Sequence, residues 1–97
     1  MNTNEIKEIL VQRGYNENRA ELVSRELIKI DPELIKPLND WLKEGIETEL
    51  EYQGVSLLHI MQRGKLTYPA ALLSIDWIYK DAEKALPILK RVGMKTI

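Results

Sequence analysis

Residues 67–80 read TYPAALLSIDWIYK, a stretch in which apolar and aromatic side chains occupy nearly every direction around a helix. Thr67 can cap such a helix, and Pro69 falls in its first turn, where a missing N–H costs nothing. Two placements compete for it. As a central helix it is covered on both faces; as a peripheral one it leaves a contiguous apolar face for a partner.

Its counterpart lies earlier in the chain. Shifting the sequence by fifty positions without a gap matches Leu10–Leu38 to Ile60–Ile88, with ten identities: Gln12/Gln62, Arg13/Arg63, Gly14/Gly64, Ala20/Ala70, Leu22/Leu72, Ser24/Ser74, Ile28/Ile78, Asp31/Asp81, Glu33/Glu83 and Pro37/Pro87. The shared glycine, aspartate and proline are residue types that end and start helices. The expectation is therefore an all-α chain, a compact bundle of about six short helices arranged as two pseudo-repeated three-helix units, within one domain over 1–97. Unit one covers 4–44, a linker 45–54, and unit two 55–92.

Local signals place the helices. Ile6, Ile9 and Leu10 recur at helical spacing before Gly14; Asn16 or Asn18 caps a second helix reaching Lys29 or Ile30, with Val23, Ser24, Leu27, Ile28 and Ile30 on one arc. Asp31-Pro32 opens a third, which Pro37 either kinks or starts, with Trp41 and Leu42 on its apolar face before Gly45. The second unit repeats this: a helix near 55–63, one near 67–80, and a last near 81–92 capped by Asp81. Between the units, 45–54 alternates Ile46, Thr48, Leu50 and Tyr52 with Glu47, Glu49, Glu51 and Gln53, a strand-like period read as an extended linker able to pair with the 92–97 tail or with its counterpart in a second molecule, a helical continuation being the alternative.

The copies differ on the second helix of each unit. Glu21, Arg25 and Lys29 become Ala71, Ile75 and Tyr79, so Tyr68, Leu72, Ile75 and Tyr79 form an apolar stripe at spacings of four, three and four. Covered, it packs on Leu57, Leu58 and Met61 or on the first unit; exposed, it is an interaction face for a protein partner or a second copy in a homodimer. Trp77 aligns with Leu27 and is read as core.

Composition narrows the chemistry. Charged residues make up 30% and hydrophobic ones 44%, ordinary for a globular chain, and there is no cysteine. No leader-like start and no long apolar run are visible, so the cytoplasm is expected and no membrane contact. His59, the single histidine, aligns with the inward Ile9 and reads as structural. No metal or cofactor loop is legible, and no cofactor is expected. The Gly14-Tyr15 turn followed by Ala20 resembles ubiquitin-associated three-helix domains at two or three positions, a likeness that carries no function over.

Charge is uneven: −5 through Glu51 and +4 from Tyr52 onward. The halves could attract each other head to tail between molecules, or the basic half could grip a polyanion. The function expected is a non-catalytic protein–protein interaction or oligomerisation module. The alternative is a sequence-nonspecific nucleic-acid-binding protein using Arg63, Lys65, Lys90 and Arg91, with Lys80, Lys84 and Lys95 nearby in sequence.

Overall fold

The structure, a computed structural model, describes residues 1–93; Lys95 and positions 94–97 of the tail lie outside them. Helix makes up 73% of it. In order come α1 (Thr3–Gln12), α2 (Glu17–Leu27), a 3-10 turn (Pro32–Leu34), α3 (Ile35–Glu44), β1 (Glu51–Tyr52), β2 (Val55–Ser56), α4 (Leu57–Gly64) and α5 (Tyr68–Gly93). The all-α class holds, with five α-helices and one two-stranded sheet among the described residues. The chain divides into two compact units, Met1–Ile46 and Glu47–Ile97.

In the first unit, α1 starts at a reciprocal cap in which Asn2 Oδ1 accepts from the Glu5 amide and Glu5 Oε1 accepts from the Asn2 amide. Asn16 Oδ1 accepts from the Arg19 amide to start α2. Asp31 caps as expected, accepting from the Glu33 amide, but what it opens is the 3-10 turn. The α-helix proper begins at Ile35, which puts Pro37 in its first turn and resolves the choice between kink and start. Ile6, Leu10, Leu27, Leu34, Leu38 and Leu42 fill the core. Gly45 ends α3 in the left-handed region at φ 72°, and the Arg13 guanidinium covers that end, 4.9 Å over the Trp41 ring and donating to the Leu42 carbonyl at 3.2 Å.

The second unit takes over most of the 45–54 segment, which is therefore not a linker. Glu51 pairs with Ser56 and Tyr52 with Val55 across a two-residue turn, Gln53 and Gly54, both at positive φ as a tight hairpin requires. Glu49 Oε1 accepts from the Leu50 and Leu58 amides, and its Oε2 accepts from Ser56 Oγ at 2.5 Å, so this carboxylate helps cap α4. Tyr52 stacks on Tyr79 with centroids 4.0 Å apart. Cutting the chain at the unit boundary also removes most of the charge asymmetry. Unit one holds seven Lys/Arg against nine Asp/Glu and unit two seven against six, because Glu47, Glu49 and Glu51 belong with the basic half.

The offset-fifty identities do not share faces. The buried residues of α2 are Ala20, Ser24 and Leu27; fifty positions on, Ala70, Ser74 and Trp77 are only half-buried, whereas Ala71, Ile75 and Ile78 are buried. Before the turn the buried pairs Ile6/Ser56 and Leu10/Ile60 stand fifty apart, whereas after it buried positions recur at fifty-one, as in Leu34/Ala85 and Leu38/Leu89. One residue turns a helix face by about 100°, enough to exchange inside for outside. The cause is visible where α4 ends: Gly64 stays helical and Lys65 takes the left-handed turn (φ 53°) that Gly14 supplies in unit one (φ 108°). The Leu66 amide then bonds the Met61 carbonyl as the Tyr15 amide bonds that of Leu10. Asp81 leaves helical geometry (φ −156°, ψ 70°) and its Oδ1 accepts from the Lys84 amide, so α5 breaks there and Asp81 caps the helical segment expected to start at that point.

Candidate interaction surfaces

The stripe proposed for contact is core. Tyr68 is 1% exposed, Leu72 0% and Ile75 0%, and only Tyr79 is half-buried, against Tyr52. The Tyr68 hydroxyl donates to the Thr48 carbonyl at 2.8 Å, so its polar end is satisfied within the second unit. Contact through this face is thereby corrected: it cannot meet a partner while unit two is folded. Its aliphatic residues replace charge because this arc is the inward one at the fifty-one spacing. Trp77, expected in the core, lies half-buried with Ala70, Leu73 and Ser74 on the other arc.

Arg63 is in the last turn of α4, Lys65 at its left-handed cap, and Lys90 and Arg91 in the last turn of α5; all four are exposed. Cations at helix C-termini complement the helix dipole, which by itself accounts for three of them. His59 is half-buried on α4, its amide donating to Ser56 Oγ at 3.3 Å, while its enclosed Nδ1 makes no hydrogen bond among the described residues. No group of three His, Asp or Glu is placed to hold a metal ion among those residues. No helix among them is long and apolar enough to cross a membrane.

An apolar groove in the first unit went unnoticed in the sequence. Its volume is about 200 Å³, with Ile6, Leu27, Ile30, Leu38 and Leu42 as floor. Met1, Ile28 and Ile35 line it while remaining 51%, 46% and 44% exposed, and Asn39 is its one polar residue. Two larger depressions, about 480 and 430 Å³, flank the α1–α2 turn, but polar side chains such as Asn16, Glu17 and Lys7 dominate their walls. The groove arises because α2 stops at Leu27. Ile28, counted on the inward arc of a longer helix, is carried outward by the turn that follows, in which the Lys29 and Ile30 amides bond the Glu26 and Leu27 carbonyls. Ile35, first residue of α3, adds a second aliphatic that the helix buries no further. The signal that could have exposed it is a surplus: Ile28, Ile30, Leu34, Ile35 and Leu38 within eleven residues exceed what one short helix face can hide.

Comparison with protein-family models, with curated proteins and with solved structures finds no match in any of the three.

Proposed function

We propose that the protein is a non-catalytic protein-interaction module, and that the first unit's groove is where a partner binds. The observation that supports this is the groove's composition: a cleft lined by uncharged side chains, with those of Met1, Ile28 and Ile35 left open at its edge, the pattern that receives the apolar face of an amphipathic helix. The fold is then two helical units, the second stiffened by its hairpin. A cytoplasmic setting fits this role. The nucleic-acid alternative rests on the exposed cations Arg63, Lys65, Lys90 and Arg91.

Selection of helical peptides displayed on phage against the folded protein tests the proposal. Enriched peptides should carry aliphatic residues at i, i+3 or i+4, and i+7, and should lose binding to an Ile28→Asp, Ile35→Asp double variant that keeps its helical circular dichroism. Peptides that bind wild type and double variant equally would refute it. Binding of arbitrary DNA at low salt that weakens in Lys90→Gln, Arg91→Gln would favour the alternative.

A further inference from the structure

The first unit's groove carries more than an apolar lining. Its one polar residue, Asn39, is half-buried, and the Asn39 amide makes no side-chain hydrogen bond among the described residues. Charges next to the lining residues in sequence are matched within the chain: Lys29 pairs with Glu26 at 3.7 Å and Lys36 with Asp40 at 3.1 Å. The hollow of about 200 Å³ and the apolar side chains that stand open at its edge, Met1, Ile28 and Ile35, all belong to unit one. One surface thus offers both a hollow and the knobs to fill one.

These features select the occupant. A strongly acidic or basic helix gains little from cations and carboxylates that are already paired, whereas an equally balanced surface meets no repulsion there. An amide is donor and acceptor at once, so across a two-fold axis an asparagine can bond to its own copy in both directions. A single such asparagine in an apolar contact fixes the register and the number of chains.

We infer that the groove's partner is a second copy of this chain, with Ile28 and Ile35 of each copy entering the groove of the other and the two Asn39 amides meeting at the axis. This rests on the reading of the groove as a binding site and names what binds there. The contact is isologous, each copy using the same surface of unit one, so it closes at two. The open apolar area is of the order of a few hundred Å² per copy. A standard interface buries about 800 Å² per partner, so the dimer is weak and exchanges readily. Loss of water from apolar groups drives it, and salt does not dissolve it.

Sedimentation equilibrium of the full chain at concentrations up to about 1 mM tests the inference. The mass should rise from 11.3 kDa toward twice that value, equally so in about 0.5 M NaCl. Ile35→Asp, which alters an exposed side chain, should weaken association at least about tenfold. Ile88→Asp, an exposed position of unit two, should leave it unchanged. Asn39→Asp and Asn39→Lys should each stay monomeric alone and associate when mixed, because residue 39 faces its own copy. A chain that stays monomeric yet binds the phage-selected helical peptides would overturn the inference and leave the groove reading standing; one that binds no such peptide either would overturn both. Association that survives Ile35→Asp, or a mixture of the two Asn39 variants that stays monomeric, would also overturn it.

Discussion

Replacing Ile75 and Leu73 separately distinguishes the two possible inward faces of α5. At the fifty-residue spacing Leu73 faces inward and Ile75 is the acquired outward residue; in the structure Ile75 is 0% exposed and Leu73 half-buried. Ile75→Ala removes three carbons, about 2.4 kcal/mol of transfer free energy at ~0.8 per methylene. Incomplete closure of the cavity adds about 1 kcal/mol, for a total of about 3–4. Leu73→Ala removes as many carbons from a side chain still partly in water, so its cost should be about half as large or less. A small domain holds only about 5 kcal/mol, so Ile75→Ala can unfold unit two outright; Ile75→Val, at about 1 kcal/mol, keeps the measurement in range. Urea unfolding followed by circular dichroism at 222 nm and, with every variant in a Trp41→Phe background, by fluorescence of the remaining Trp77 reads the midpoints, the second probe reporting the unit that is altered. Leu73→Ala costing more than Ile75→Ala would refute the assigned face.

Gly14 and Gly64 coincide at an offset of fifty yet should respond oppositely to alanine. At φ 108° Gly14→Ala should destabilise by about 1–2 kcal/mol, whereas Gly64, helical and with Leu66 at 3.4 Å from an added Cβ, should gain about 0.5 kcal/mol; thermal melts giving the same sign for both would contradict the turn geometry. Glu49→Ala should lower stability by about 1 kcal/mol, since it strips the carboxylate from the Leu58 amide and Ser56 Oγ, and Glu49→Gln should lose less. Equal midpoints for Glu49→Ala and wild type in urea would show that the cap carries no stability.

Much of the local structure was legible because its causes are local. Asn16 and Asp31 cap because a short side-chain oxygen reaches amides two or three residues on, and Gly45 ends α3 because glycine enters the left-handed region without penalty. The hairpin was half-legible. The alternation of 45–54 is strand-like throughout, but only Glu51 and Tyr52 have a partner strand, which the Gln53-Gly54 turn supplies. The face of α5 was legible only as a pair of alternatives: the sequence left the Tyr68, Leu72, Ile75 stripe either covered or exposed, and the structure covers it. Sequence identity reports which residues two segments share, while facing depends on the summed rotation of everything between the anchor points. Here Gly64 stays helical and Lys65 takes the turn, which moves every later side chain by about 100°.

The sequence by itself determined that this chain is helical, where most helices begin and end, and that cysteine chemistry is excluded. Only the tertiary structure decided that Tyr68, Leu72 and Ile75 lie inside and that Ile28 and Ile35 edge an open groove. Burial is settled by packing between segments distant in the chain, and one residue of helical rotation is enough to reverse it.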